Sequence, residues 1–342
     1  MKQSERLEYI DLAKGICILL VVFMHIVPEI GKGNPLLINL RMPFYYFLSG
    51  MFFKSYDGFR NFIIKKSDRL LIPFIAWYLL SYLIYYVRVF FIGHPEHVFK
   101  LTDLFLEPEF YNGSIWFLLS LFWCNIIYYF IENVTKNPLL KASLVLGIGV
   151  IGGMFSYLDF PNFLYLPTSF TSLPFFYMGR QMISLKIIRN EKEPKRDLIL
   201  VSVCVLIAYF MLLFPDEITY NVFYLNSLYS GNYLFMYVGG LSLILITLTL
   251  CKYLRKVPYV SYVGRYSIIV LLTHRLVGNI FTRGVEHLTG MDMSTTYSHL
   301  ILLAVILVSM LILIPFCRKF LPYICAQKSL LTERIAKRQL SI

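Results

Sequence analysis

Residues 10–26 have the sequence IDLAKGICILLVVFMHI, an apolar run with Asp11 and Lys14 near its start and His25 near its end. A run of about 20 apolar residues is long enough to cross the hydrocarbon core of a membrane as a helix. No small-residue cleavage site follows this run. We therefore expect a retained transmembrane helix here, and not a signal peptide that is removed.

The rest of the chain has the same character. Of its 342 residues, 58% are hydrophobic and only 15% are charged, whereas soluble domains carry about 25% charged residues. We predict an all-α, polytopic integral membrane protein with about ten transmembrane helices. Its predicted spans are roughly 10–30, 36–53, 70–92, 113–132, 139–157, 163–183, 198–214, 232–251, 260–281 and 297–317. In the sixth span, Pro167 and Pro174 predict a broken helix, which needs surrounding protein or a cavity.

The basic residues predict how these spans are oriented. The net charge is +12, and most of the 32 Lys and Arg lie in alternate loops between apolar runs. By the positive-inside rule, both termini are cytoplasmic. We expect a multi-pass protein of the inner (cytoplasmic) cell membrane. Residues 1–342 would form a single transmembrane domain with a core at 9–322 and a basic cytoplasmic tail at 323–342.

The sequence pattern argues against nucleic-acid binding, disulfide bonds and a metal site. No basic stripe with interleaved aromatic residues occurs on a soluble segment, so we expect no nucleic-acid binding. The six cysteines lie within or beside apolar runs and form no CxxC pair. This placement predicts small buried side chains, with neither disulfides nor a metal site.

Ionisable residues inside a span are costly and are by default candidates for function. Asp11, Lys14 and His25 share one helix face. Lys14 and His25 are about three turns, or ~16 Å, apart, with Lys14 near the cytoplasmic boundary and His25 deep in the membrane. Alternatively, Lys14 is a snorkelling lysine paired with Asp11, and His25 is a polar link between helices. The shared face favours a functional interpretation.

Other residues of the spans are weaker candidates. Lys66 and Arg69 share a face at the start of the third span and could bind a phosphate together, although positive-inside flanking is the simpler explanation. His274 lies well inside the ninth span, and Ser267 shares its face. The dipeptide Ser49-Gly50 ends the second span after an aromatic run, where small residues permit a close helix approach or a tight turn.

These motifs resemble those of the membrane acyltransferase family 3, whose members acylate sugars and related cell-envelope molecules. The most specific match is the first-helix pattern of Arg or Lys, ten residues and then His, here Lys14 to His25. Met42–Gly50 is similar to the family's Met-Pro-aromatic-Ser-Gly run, and Lys66–Arg69 resembles its Arg-x-x-Arg motif. Weaker matches are Ile115–Leu118, which contains Trp116, and Ser267–His274. The resemblance covers essentially the whole chain.

Two positions depart from the family pattern. Arg41 stands where many relatives carry histidine before Met-Pro. Lys66 replaces the first arginine of the Arg-x-x-Arg motif and would act as a point charge, because lysine lacks the bidentate fork of arginine. We expect no appended esterase-like domain, so the membrane domain would transfer the acyl group alone or hand it to a separate protein.

The resemblance implies an O-acyltransferase, above all an acetyltransferase, with cytoplasmic acetyl-CoA (acyl-CoA) as donor substrate and no permanently bound cofactor. The acceptor would be a polysaccharide, a lipid-linked sugar or another envelope glycan, and membrane lipid would surround the protein. Lys14, Lys66 and Arg69 would bind the donor phosphates. His25 would act as general base or take the acyl group itself, and Asp11 would orient Lys14. Residues that would contact substrate or support the site are Arg41, Ser49, Gly50, Trp116, Ser267 and His274.

A proton-coupled transporter is the alternative from another class. His25 and His274 would then form a proton relay, with the broken sixth span near the transport site. Such a protein would show two related halves, and the sequence contains no convincing internal repeat. A non-catalytic scaffold would not explain why Lys14 and His25 share a face.

Cysteines introduced by Arg60→Cys and Phe105→Cys test the predicted orientation. In intact cells, a membrane-impermeant maleimide should label position 105, because its loop is acidic and predicted to lie outside. Position 60, in a basic loop, should react only after the cytoplasmic face is opened. A background without the native cysteines is the control, and the reverse labelling pattern would overturn the predicted topology.

Overall fold

The computed structural model describes residues 8–28, 35–92, 111–158, 160–183, 192–213 and 233–339. The remaining residues, position 105 among them, lie outside these ranges. All regular elements of the described residues are helical. They are α1 (Glu8–Ile26), α2 (Pro35–Met51), α3 (Phe59–Lys66), a π-helical turn (Ser67–Leu71), α4 (Ile72–Ile92), α5 (Trp116–Val134), α6 (Pro138–Tyr157), a 3-10 turn (Phe163–Tyr165), α7 (Leu166–Met182), α8 (Pro194–Leu213), α9 (Tyr233–Leu254), α10 (Pro258–Arg265), α11 (Ser267–Thr289), α12 (Thr296–Phe320) and α13 (Leu330–Gln339).

Each predicted span overlaps a helix of the structure. Within the described ranges, eight helices are long and apolar enough to cross a membrane, in agreement with a polytopic membrane protein. The two remaining predicted spans correspond to α2 and α7, which have only 17 residues each. Because a full crossing needs about 20 residues, these two helices are shorter than the prediction assumed.

The sixth predicted span differs from the prediction in another way. A 3-10 turn with Leu164 and Tyr165 at positive φ comes first, and α7 then continues through Pro174 without a break. Pro167 lies in the first turn of α7, where its missing N–H has no intrahelical partner to lose. The predicted break at the two prolines is therefore wrong, and the irregular backbone precedes the helix.

Two predicted span boundaries also shift. The third span was expected to begin near residue 70, but helical structure begins at Phe59 and continues through the π turn into α4. A π turn contains more residues than an α turn and so changes which side chains share a face. The ninth predicted span is divided at Tyr266, whose φ of −113° and ψ of 28° end α10 before α11 begins.

The chain divides into two compact units. Among the described residues, unit 1 contains 8–28, 35–52, 174–183, 192–213 and 233–267, and unit 2 contains 53–92, 111–158, 160–173 and 268–339. The boundary lies between Leu173 and Pro174, within α7, so this helix contributes residues to both units. The predicted site residues are divided as well, with Lys14 and His25 in unit 1 and Lys66 and Arg69 in unit 2.

In unit 1, α1 and α10 cross at two glycines that face each other's backbone. A Cβ added to Gly15 would overlap the carbonyl oxygen of Val260, and one added to Gly264 would overlap the carbonyl oxygen of Asp11. Glycine permits this approach because it has no side chain to hold the helices apart. The crossing fixes the backbone of α1 at the residue next to Lys14.

A second reciprocal crossing in unit 1 joins α2 to the last turns of α7. A Cβ added to Gly50 would overlap the carbonyl oxygen of Phe176, and one added to Gly179 would overlap that of Phe47. The aromatic stretches before the two glycines therefore lie backbone to backbone. The contact confirms the close helix approach expected at Gly50 and identifies Gly179 as its counterpart.

A buried ion pair joins α8 to α9, also in unit 1. Nζ of Lys252 lies 2.7 Å from Oδ2 of Asp197, and both side chains are almost completely buried. The Tyr253 hydroxyl donates a hydrogen bond to the same oxygen at 2.8 Å, and Arg196 donates one to Oδ1 at 3.2 Å. The Glu193 N–H also donates to Oδ2, at 3.3 Å. Four donors among the described residues thus share one carboxylate, which offsets the cost of removing it from water.

In unit 2, small polar side chains link α5 to α7. The Ser169 hydroxyl donates to the carbonyl oxygen of Ser120 at 3.0 Å, and the Cys124 thiol lies 3.2 Å from the carbonyl oxygen of Ser169. Hydrogen bonds of this kind satisfy polar groups where water is absent. All six cysteines are free thiols and buried, as their apolar surroundings predicted.

We expect Gly15→Ala and Gly264→Ala each to lower the melting temperature of the purified protein in detergent. The added methyl group forces α1 and α10 apart, and overpacking of this kind costs about 1–3 kcal/mol. Gly147→Ala in α6 is the matched control, since its Cβ would meet no heavy atom within 4 Å. It should leave the melting temperature unchanged or raise it, because alanine favours a helix. Equal melting temperatures for all three variants would contradict the tight crossing.

Candidate functional site

Lys14 lies on α1 beside the crossing with α10. Its side chain is partly buried, and Nζ lies 5.5 Å from the centre of the Phe52 ring, within the range of a cation–π contact. The Tyr45 hydroxyl donates a hydrogen bond to the carbonyl oxygen of Lys14 at 2.8 Å. Residues of α2 and of the segment directly after it therefore position both the backbone and the amine of Lys14.

Tyr45 also connects Lys14 to Ser267. Its hydroxyl forms a hydrogen bond with the Ser267 side chain. Because the phenolic hydrogen goes to the Lys14 carbonyl, the Ser267 hydroxyl is the donor in this second bond. Two residues that the sequence singled out separately are thus joined by a third that it did not. The available signal was the position of Tyr45 within the Met42–Gly50 motif.

His25 lies in the last turn of α1, which ends at Ile26. The predicted helix ran to residue 30, so His25 is closer to the helix end than expected. Its side chain is partly buried. Helical geometry keeps His25 on the same face of α1 as Lys14, ~16 Å away along the axis. One rigid helix therefore sets the spacing between a cation and an imidazole.

Asp11 and the Ser49-Gly50 dipeptide lie next to the two glycine crossings. Asp11 is partly buried one turn before Lys14, and its carbonyl oxygen faces Gly264. Ser49 is partly buried, and Gly50 contacts the backbone of Phe176. Gly50 therefore supports the helix packing of unit 1, which is one of the two roles predicted for it.

Arg41 is buried within α2, with only 5% of its surface exposed. Among the described residues, no group forms a hydrogen bond with its Nε or Nη1 atoms. Burying an uncompensated charge costs several kcal/mol. An anionic group on a bound molecule would remove this cost, so the surroundings of Arg41 are suited to the substrate contact predicted for it.

In unit 2, Lys66 and Arg69 lie on either side of the start of the π turn. Nζ of Lys66 lies 5.6 Å and 5.7 Å from the ring centres of Phe53 and Phe62, and the side chain is partly buried. Arg69 is exposed and close enough to act electrostatically on Lys66. The π turn rotates the two side chains further apart than an α-helix would. The two cations are therefore near each other but differ in exposure: Lys66 lies against aromatic rings, and Arg69 is exposed to solvent.

Asp68 lies between these two cations in the sequence and is 1% exposed. Its Oδ1 accepts a hydrogen bond from the Leu331 N–H at 2.7 Å, and its Oδ2 accepts bonds from the Thr332 N–H at 3.0 Å and the Thr332 hydroxyl at 2.6 Å. The carboxylate therefore caps the first turn of α13. Nothing in the sequence pointed to this pairing, because its partners are far apart along the chain.

Trp116 and His274 lie in the interior of unit 2. The Trp116 ring stacks on Tyr165 at a centroid distance of 5.5 Å. His274 is fully buried, with Nδ1 2.8 Å from the carbonyl oxygen of Val270 and Nε2 3.3 Å from the Ser114 hydroxyl. A carbonyl can only accept, so Nδ1 carries the hydrogen and Nε2 accepts from Ser114. Both residues are suited to support the fold of the site.

The described residues contain no group of three or more His, Cys, Asp or Glu that could hold a metal ion. In unit 1 the structure brings together Lys14, Tyr45 and Ser267, and in unit 2 it brings together Lys66, Arg69 and the capping carboxylate of Asp68. Each unit therefore presents a cation that neighbouring groups hold in place.

Comparison with known proteins assigns this chain to a family. Residues 7–317 match the model of acyltransferase family 3, whose description is "Acyltransferase domain". The match covers nearly the whole chain and confirms the resemblance inferred from the motifs. No curated protein and no solved structure matches the chain significantly.

Proposed function

The chain belongs to acyltransferase family 3, and from this premise we propose that it is an O-acyltransferase which moves an acyl group from acyl-CoA to a hydroxyl of an envelope glycan. Acetyl-CoA is the proposed donor. The proposed acceptors are a polysaccharide, a lipid-linked sugar or another envelope glycan. The proposed location is the inner (cytoplasmic) cell membrane, with both termini in the cytoplasm and the donor arriving from that side.

The observation that carries this proposal is the arrangement of Lys14 and His25 on one face of α1. The ~16 Å between them along the axis suits the long pantetheine arm of coenzyme A. Lys14 would bind phosphate at one end, and His25 would meet the thioester at the other. Because the Gly15 and Gly264 crossing fixes α1 beside Lys14, the spacing does not depend on a flexible loop.

His25 can serve the transfer in two ways. As a general base, its imidazole takes the proton of the acceptor hydroxyl while that oxygen attacks the thioester carbonyl carbon. The carbon–sulfur bond then breaks, and the leaving coenzyme A thiolate takes the proton from the imidazolium. As a nucleophile, His25 would itself accept the acyl group and pass it to the hydroxyl in a second step.

Four other residues have proposed substrate contacts or a positioning role. Lys66 and Arg69 would bind donor phosphates, since two nearby cations favour a multiply charged anion. Arg41 would contact an acidic group of a substrate, because its buried guanidinium lacks hydrogen-bond partners at two nitrogens among the described residues. Asp11 would orient Lys14 from one turn away.

A transporter has no support from the family match. The fully buried His274 also has both ring nitrogens engaged, by Val270 and Ser114. These contacts suit a structural histidine, and they weaken the argument for a relay through this residue.

We expect His25→Ala to abolish acyl transfer while the amount of protein in the membrane stays normal. Loss of a general base lowers a rate by about 10²–10⁴-fold. The measurement is transfer of labelled acetyl groups from acetyl-CoA to envelope glycan, with His287→Ala, an exposed histidine, as control. Label that stays on the protein without acceptor, and disappears with His25→Ala, would identify His25 as the acyl carrier. A well-expressed, fully active His25→Ala protein would refute the catalytic role proposed for His25.

Removing the charge at Lys66 or Arg69 should weaken donor binding. We expect Lys66→Met and Arg69→Met each to raise the KM for acetyl-CoA about tenfold, as loss of one charge-assisted hydrogen bond would do, with a smaller effect on kcat. Arg60→Met, which removes an exposed cation from α3, the helix that ends at Lys66, is the control. Lys66→Arg keeps the positive charge and should leave the KM close to that of the parent protein. An unchanged KM in both variants would mean that Lys66 and Arg69 only flank the membrane span, as the positive-inside rule predicts.

A further inference from the structure

The segment from residue 321 to residue 339 is attached at two points to the helical stretch that begins at Phe59, once to α4 and once to the π turn. The Trp77 indole N–H donates a hydrogen bond to the carbonyl oxygen of Ile324 at 3.0 Å. Seven and eight residues later, Leu331 and Thr332 in the first turn of α13 donate hydrogen bonds to Asp68. Within the segment, the Tyr323 hydroxyl donates to Glu333 at 2.9 Å. That carboxylate raises the pKa of Tyr323, so the hydroxyl remains a donor.

The sequence predicted a basic cytoplasmic tail at 323–342, and the described part of that tail contacts the rest of unit 2. The residues that match the acyltransferase family end at 317, and α13 lies beyond them. Its packing partners in unit 2 are α3 and the π turn, which carry Lys66 and Arg69. A helix outside the family match therefore lies against the turn that carries the proposed donor-binding cations.

Asp68 is the link between α13 and that turn. Its two oxygens accept three hydrogen bonds from Leu331 and Thr332, all with donor–acceptor distances of 3.0 Å or less. The positive end of the α13 dipole adds to their effect. A carboxylate engaged in this way is directed toward α13. Released from α13, it would be free to pair with Lys66 or Arg69 and compete with donor phosphates for them.

We propose that α13 positions the Lys66–Arg69 turn for donor binding, and that Asp68 is the positioning residue through which it does so. The inference rests on the proposed function, since it takes Lys66 and Arg69 as contacts of acyl-CoA. Docked α13 holds Asp68 away from the two cations and fixes the π turn. The cations then remain available for the donor.

Thr332 offers a matched pair of variants for the test. Thr332→Val keeps the shape of the side chain but removes the hydroxyl that donates to Asp68, whereas Thr332→Ser keeps the hydroxyl. We expect Thr332→Val to raise the KM for acetyl-CoA by up to about tenfold, with little change in kcat, because loss of the hydroxyl's bond to Asp68 weakens the cap that holds the turn. Thr332→Ser should behave like the parent protein.

Hydrogen exchange of the full-length protein in detergent provides a readout that does not depend on activity. Amide exchange in the peptide containing Leu331 and Thr332 should be faster in Thr332→Val and in Asp68→Asn, since both variants weaken the cap. The double variant Asp68→Asn with Thr332→Val should raise KM no more than the stronger single variant, because the two substitutions break one contact.

Arg334→Met separates positioning from simple charge. Arg334 is exposed on α13, so this variant removes a cation and leaves the cap intact, and its KM should not change. A KM raised as much as in Thr332→Val would mean that α13 acts through its own charge and would overturn the proposal. So would faster exchange with an unchanged KM in Thr332→Val and Asp68→Asn, or unchanged exchange in both.

Failure of the proposed function would look different. A parent protein that neither binds nor consumes acetyl-CoA would refute the acyltransferase mechanism proposed above, and the positioning proposal with it. A parent protein that consumes acetyl-CoA, and whose KM responds to Lys66→Met but not to Thr332→Val or Asp68→Asn, would refute only the role of α13.

Discussion

Contact between helix backbones at glycine is the constraint on which unit 1 depends. Within a membrane, lipid removes the hydrophobic force that drives helices together, so association rests on close packing and on polar contacts between helices. Gly15 and Gly264 provide such packing for α1 and α10, and Gly50 and Gly179 provide it for α2 and α7. Neither crossing could form with a larger residue at these positions. The first crossing also determines where the backbone next to Lys14 lies.

The sequence predicted the helices well, because apolar runs leave a local signal, whereas the roles it assigned to the candidate site residues remain predictions. Apolar runs marked the eight described helices that are long enough to cross a membrane, and also the shorter α2 and α7. An ionisable residue within such a run marked Lys14 and His25. The sequence could not show contacts between residues far apart along the chain. Tyr45 is one aromatic residue among many until its bond to Lys14 is seen, and Asp68 resembles an ordinary flanking acid until its partners at Leu331 and Thr332 are known. The break predicted at Pro167 failed because a proline in the first turn of a helix costs little; α7 also continues through Pro174, which lies in its middle.

Charged residues in this protein are buried in two different ways. Asp197 and Lys252 neutralise each other directly, with further hydrogen bonds from Tyr253 and Arg196, and so form a self-contained link between helices. Arg41 is buried as deeply, yet two of its nitrogens have no hydrogen-bond partner among the described residues. The first arrangement is complete within the protein. The second leaves two buried nitrogens without a hydrogen-bond partner among the described residues, which is why Arg41 is proposed to contact a substrate and Lys252 is not.

The ion pair between α8 and α9 also has a consequence for how the chain is made. Asp197 and Tyr253, which share a hydrogen bond, are separated by 56 positions, and Lys252 directly precedes Tyr253. At about 5–20 residues per second, a ribosome needs about 3–11 seconds to synthesise that interval. During this time the Asp197 carboxylate has only its local partners, the Arg196 side chain and the Glu193 N–H. The bonds that join the two helices can form only after α9 has been synthesised, so we expect α8 and α9 to associate late in the synthesis of unit 1.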